Sequence, residues 1–242
     1  MPATRSLALT AALVLSFGGA ACTSSDEASV ETEQLDAEPP TATEILKMSG
    51  SAMADISSVA FTITQEGAEV PIDEGGLVTF TAADGRYAAP GSAEAIVAVD
   101  ALGAATEIGA VAIDGTVWIT NPLTGKWEEA PEIFTFDPAL IFSTDIGLPA
   151  LLDDGITDPA PAVPEAAGGV YTITGDVDPA RIAALTGGLV TDVTDVEVVI
   201  DADTFLIDTL GFAVDVDGTV STWSLTMSDY DADVTIEPPE LG

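Results

Sequence analysis

Val59-Ala60-Phe61-Thr62-Ile63-Thr64 and Val78-Thr79-Phe80-Thr81 are the stretches that decide the fold class. In each, large apolar side chains alternate with threonines at period two, the spacing of a strand with one buried and one solvated face. Alternation places Phe61 and Ile63 on one face of their strand, and Val78 and Phe80 on one face of theirs. The same strand language continues through residues 94–102 and 108–120. Asp84-Gly85 and Asp114-Gly115 sit between apolar runs and read as hairpin turns. The first half is therefore expected to be an antiparallel meander.

Upstream, the period changes to that of a helix. Ile45, Met48, Ala52, Met53 and Ile56 recur at helical spacing over residues 43–57, with Thr43 as the expected N-cap. Downstream, Asn121-Pro122-Leu123-Thr124-Gly125 is a turn. A proline-punctuated stretch over 131–164 carries two expected short helices, 138–143 and 147–153, and a loop at 158–164. Strand language resumes at 170–175, followed by a short helix over 179–186 with Pro179 at its start. A second meander is expected from 193–201, 205–216, 219–229 and 233–236, with Asp217-Gly218 as its clearest hairpin turn. The order of helix, strands, helices and strands is that of an α+β fold with an antiparallel sheet.

The N-terminus reads as a processing segment. Arg5 supplies a positive n-region, residues 7–17 are apolar and uncharged, and Gly18-Gly19-Ala20-Ala21 are small residues leading to Cys22. The apolar run is shorter than the roughly 20 residues a permanent membrane span needs. Residues 1–21 are thus expected to be a lipoprotein signal peptide, although Gly19 stands where leucine is usual. Cys22 is the single cysteine, which excludes an intrachain disulfide and a thiolate zinc cluster. Its expected use is a thioether to diacylglycerol. Residues 22–43 are Ser, Thr and Glu rich, end near Pro39-Pro40, and read as a flexible tether. Residues 44–242 form the expected folded domain.

Composition narrows the functional classes. Five Lys and Arg stand against 41 Asp and Glu, a formal net charge of −36. Such a surface repels nucleic acid. The acidity fits a saline habitat or a biased genome composition equally well. Hydrophobic residues still make up 47%, enough for a packed core. There is no histidine, which removes Ser-His and Cys-His nucleophile pairs and the commonest metal ligand. No phosphate-binding or dinucleotide motif appears, and no cofactor is expected. Carboxylates are so numerous that no pair stands out as an acid and base, and the chain is not expected to be an enzyme.

The ordered series of motifs carries a resemblance. Asp114-Gly115-Thr116-Val117-Trp118-Ile119 leads to Lys126-Trp127, then Phe136-Asp137-Pro138 and Gly147-Leu148-Pro149-Ala150-Leu151-Leu152. Tyr171-Thr172-Ile173-Thr174-Gly175 precedes Val196-Glu197-Val198-Val199-Ile200-Asp201. The series closes with Leu225-Thr226-Met227-Ser228-Asp229-Tyr230 and Ile236-Glu237-Pro238-Pro239. Over residues 45–239 this order, behind a lipoprotein signal, resembles the actinobacterial LppX/LprAFG lipoprotein family, whose members carry lipids between envelope layers.

The resemblance implies a curved antiparallel β-sheet, a half-barrel, with helices on its concave face enclosing an apolar cavity for acyl chains. It brings no catalytic residues. The expected partners are a lipid or glycolipid ligand, the membrane through lipidated Cys22, and a membrane lipid transporter. Met48 and Met53 from the first helix, with Phe61, Ile63, Val78 and Phe80 from the strands, are the candidate cavity wall. Two other readings stay open: an acidic module that binds another envelope protein, and a carboxylate-only hydrolase. The strong acidity departs from relatives that hold anionic glycolipids and favours neutral or zwitterionic cargo.

Overall fold

The structure, a computed structural model, describes residues 39–72, 75–131, 137–160, 162–164 and 169–242. The signal peptide, Cys22 and the tether up to residue 38 lie outside the described residues. The first strand group comprises β1 (Ser58–Gly67), β2 (Val70–Pro71), β3 (Val78–Ala88), β4 (Ser92–Ala101), β5 (Ala104–Ile113), β6 (Thr116–Thr120) and β7 (Trp127–Glu129). The second comprises β8 (Ile156–Thr157), β9 (Val163–Pro164), β10 (Val170–Val177), β11 (Asp195–Asp201), β12 (Ile207–Val216) and β13 (Thr219–Ser228).

These strands form one sheet in the order β7-β6-β5-β4-β3-β1-β13-β12-β11-β10-β8, with β2 added to β3 and β9 to β10. Neighbours in the sheet are antiparallel, and most are joined by local hairpins. The two meanders meet where β1 pairs with β13, the long-range seam at the middle of a curved, open sheet.

Register assigns the two faces. Directly opposed residues share a face, and one row runs Ile108, Val97, Ala83, Ile63, Leu225, Leu210, Val198, Ile173 across eight strands. The adjacent row runs Gly109, Ile96, Asp84, Thr62, Thr226, Thr209, Val199, Thr172 on the other face. The first row is apolar throughout and the second is dominated by threonine. We call the apolar side the inner face.

Helix α1 (Ala42–Ala54) begins with Thr41, not Thr43, as its N-cap. The Thr41 hydroxyl accepts from the Glu44 amide at 3.3 Å, and the Glu44 carboxylate accepts from the Thr41 amide at 2.8 Å. This reciprocal capping box satisfies two otherwise orphaned amides and holds the Glu44 carboxyl below its usual range. A 3-10 turn at Pro138–Leu140 precedes α2 (Leu148–Ala150), which continues into a π-helical turn, Leu151–Gly155. Helix α3 (Pro179–Leu185) is capped by Asp178, whose Oδ1 accepts from the Ala180 amide at 2.9 Å. Ile45, Leu46 and Met53 of α1 join Leu148, Leu151 and Leu152 in one buried cluster with Ile173, Val198 and Leu210.

Three sequence expectations are corrected. Asp84-Gly85 is not a turn: β3 runs straight through it, and neither residue has a positive φ. Asp114-Gly115 and Asp217-Gly218 do turn, with φ of 50° and 82°, and 54° and 83°. Residues 233–236 form no strand. The 158–164 loop contains β9, which pairs with Tyr171 and Thr172 of β10.

Candidate functional site

The inner face is unevenly covered. Towards the β10 edge, Ile173, Val198 and Leu210 are buried. From Leu225 through Ile63 and Val97 to Ile108 the same row is half-buried, with only the small Ala83 buried among them. An apolar sheet face left partly open is a candidate binding surface.

The six candidate wall residues fall around this boundary. Phe61 and Ile63 face inward, opposite Gly85 and Ala83. Val78 and Phe80 also face inward because of a register shift between Phe80 and Ala82. Without that bulge, residues 80 and 83 would point to opposite faces. Phe80 is buried, whereas Phe61, Ile63 and Val78 are half-buried. Met53 is fully buried on the buried stripe of α1. Met48 is 36% exposed: at about 100° per residue it lies some 140° around the helix from Met53. The buried stripe is instead Ile45, Leu46, Ser49, Gly50 and Met53.

Glycine makes two close approaches possible. A Cβ on Gly50 would lie 2.9 Å from the Pro149 carbonyl oxygen, so α1 and α2 touch there by backbone. At Gly85 a Cβ would lie 2.5 Å from Phe61 Cζ and would also meet the Glu94 carbonyl oxygen. The Phe61 ring thus lies across a strand that has no side chain at that point.

Aromatic residues organise the rest. Trp223 stacks on Phe80 at 5.0 Å and on Phe212 at 6.1 Å, with interplanar angles of 17° and 11°. The Tyr230 hydroxyl donates to the Ile207 carbonyl at 2.5 Å, with the sulfurs of Met227 and Met53 at 3.3 and 3.7 Å. Tyr230 thereby ties the end of α1 to β12 and β13. Burial, with the charge of Asp208, pushes its phenol far above the usual tyrosine range. Tyr87 packs on Phe142 at 4.4 Å, bringing the segment before α2 onto the first meander.

Two polar atoms break this apolar layer. Ser49 Oγ on α1 and Trp223 Nε1 on β13 are buried without a hydrogen-bond partner among the described residues. The sequence places Trp223 in a strand, and the alternation Trp223, Leu225, Met227 against Ser224 and Thr226 signals a shared face. Which neighbours it meets depends on register and could not be read.

Two concavities lie elsewhere, and none of the six candidates lines either. One of about 390 Å³ is lined by residues 39–43, Pro159, Ala162 and Tyr171. The other, about 430 Å³, has outward-facing Arg86, Glu94, Ile96 and Trp127 among its lining. Ion pairs join Arg86 to Glu94 and Arg181 to Asp154. Several carboxylates bond backbone or hydroxyl groups instead. Asp231 Oδ1 accepts from the Ser57 amide at 2.7 Å and its hydroxyl at 2.9 Å, which lowers the Asp231 carboxyl below its usual range. No helix among the described residues is long and apolar enough to cross a membrane.

The family model of LppX_LprAFG lipoproteins matches residues 41–236. The crystal structure of LprF from Mycobacterium bovis superposes with a TM-score of 0.60 at 18% identity, covering 83% of this chain and 97% of that one. The Mycobacterium tuberculosis lipoprotein LppX gives a TM-score of 0.56 at 16% identity, covering 81% of this chain and 98% of that one. At these identities the likeness is one of fold. Comparison with curated protein sequences gives no match.

Proposed function

We propose, from the premise that this chain belongs to the LppX/LprAFG lipoprotein family, that it is a membrane-anchored carrier. Its inner sheet face takes up the acyl chains of a lipid or glycolipid and carries them across the cell envelope. The observation that carries this reading is the uneven burial of one apolar row on the inner face: Ile173, Val198, Leu210 and Ala83 are buried, whereas Leu225, Ile63, Val97 and Ile108 are half-buried. Burying a CH₂ contributes about 0.8 kcal/mol, so a 16-carbon chain leaving a membrane costs roughly 12 kcal/mol. Crossing water requires an apolar container, and the inner face supplies one wall of it.

In this account the sheet is the concave wall and the helices are its lid. Phe61, Ile63, Val78 and Phe80 line the wall, Met53 lines the lid, and half-exposed Met48 sits at the rim. Thioethers suit such positions because they adapt to varied chain shapes. Residues 1–21 are removed, Cys22 carries the lipid anchor, and residues 22–43 tether a domain of residues 44–242 on the extracytoplasmic face. A membrane lipid transporter is the partner class that would load or unload it. The acidic surface favours neutral or zwitterionic headgroups.

Enlarging the wall tests this. Ile63→Trp or Val78→Trp in a dry core would overpack it and cost about 1–3 kcal/mol. In a lipid-binding space the new ring has room, so the melting temperature of the lipid-free protein holds while uptake of a fluorescent acyl lipid falls. A large loss of stability with unchanged uptake would refute the assignment.

A further inference from the structure

We infer that the indole N–H of Trp223 is the donor that anchors an ester carbonyl of the bound lipid, so that the inner face selects ester-linked acyl chains over ether-linked ones. This rests on the lipid-carrier reading above and adds a specificity-determining residue to it.

Trp223 is 4% exposed, and its Nε1 has no partner among the described residues. Indole N–H is a donor only, and buried donors are almost always satisfied. The ring cannot swing to find an acceptor. Phe80 stacks on it from the β3 side and Phe212 from the β12 side. The polar residue opposite it in register, Gln65, directs its amide N–H groups to the Ala68 carbonyl and to Ser221 Oγ instead. A fixed, dry donor therefore faces the apolar inner side with nothing to receive it.

A second orphan lies on α1. Ser49 Oγ lies between Ile45 and Met53 on the buried stripe of α1. Among the described residues, α1 and the inner face of the sheet thus each bury one polar atom without a partner, the sheet's within an apolar layer. An acyl lipid entering that layer brings carbonyl oxygens at the head of its chains. Such an oxygen suits Trp223, because an ester carbonyl oxygen projects from the chain towards a fixed donor, whereas an ether oxygen lies within the chain, flanked by two CH₂ groups. The pure hydrocarbon part of the chain requires no such group, so Trp223 marks where the ester end stops.

The test uses the full-length protein stripped of lipid, with Nile red as the reporter probe. Displacement by 1,2-dioctanoylglycerol is compared with displacement by its 1,2-dioctyl ether. The wild type is expected to prefer the diester by roughly 5- to 10-fold, the size of one neutral hydrogen bond. Trp223→Phe keeps the stacked ring and removes the N–H. It is expected to weaken the diester to the level of the diether, leave the diether unchanged, and leave the melting temperature of the lipid-free protein equal or higher. Equal displacement by both glycerides in the wild type, which needs no variant, would overturn the inference while leaving the carrier reading intact. So would a preference that survives Trp223→Phe. Failure of both glycerides to displace the probe would overturn the carrier reading and this inference with it.

Discussion

Gly85→Ala adds one methyl group to the middle of β3. Its position is fixed by the backbone: 2.5 Å from Phe61 Cζ, 2.9 Å from Ala95 Cβ, and against the carbonyl oxygen of Glu94. The ring can rotate away, but the Glu94 carbonyl belongs to β4 and moves only if the β3–β4 ladder moves. Overpacking of this kind costs about 1–3 kcal/mol, which for a domain of this size lowers the melting temperature by roughly 3–10 °C. Thermal melts followed by circular dichroism measure it. Combining Gly85→Ala with Phe61→Ala separates the two clashes: the ring's share disappears and the carbonyl's share persists, so the double variant shows coupling between the sites. A Gly85→Ala protein as stable as wild type would refute the close packing of Phe61 over β3.

Further outcomes follow from the charges and the anchor. Asp231 has a carboxyl pKa lowered by its two bonds from Ser57, so its contribution is complete above the ordinary aspartate value of 3.8 and is lost as pH falls through the folded value. Asp231→Asn is therefore expected to melt below wild type at pH 6, with the gap closing below pH 3.8; a gap independent of pH would contradict this. A net charge of −36 makes self-repulsion costly at low ionic strength, so the melting temperature is expected to rise between about 10 mM and 1 M NaCl, where the Debye length shrinks to ~3 Å. A flat salt response would show that the carboxylates are already dispersed or paired. Cys22→Ala is expected to move the protein from the membrane to the soluble fraction, and unchanged membrane partitioning would remove the anchor from the account.

The strands were legible because their alternation is strict: Phe61 and Ile63 against Thr62 and Thr64, with turns at Asp114-Gly115 and Asp217-Gly218. Asp84-Gly85 shows where local reading stops. The dipeptide matches those turns, yet its glycine serves a ring contributed by another strand, and no local pattern reports that. The relation between the Phe61/Ile63 face and the Val78/Phe80 face was equally hidden, because the bulge after Phe80 reverses the parity. Met48 and Met53 were both apolar at helical spacing, but the stripe is wide, and Ser49 and Gly50 occupy the places where α1 closes on its neighbours. The helix start shifted because Thr41 has Glu44 three residues on to complete the capping box, which Thr43 lacks. Trp223 was visible as a strand residue, whereas its stacking between Phe80 and Phe212 and its unmet N–H are properties of the assembled sheet.

The central claim is that the inner face holds a lipid. Native mass spectrometry of the full-length protein, released gently from its membrane, tests it most directly. The account predicts a population heavier than the polypeptide and its anchor by the mass of an ester-linked lipid, lost on organic extraction and depleted in Ile63→Trp. A protein that carries no added mass, and that stays bare after incubation with neutral diacyl lipid, would contradict it.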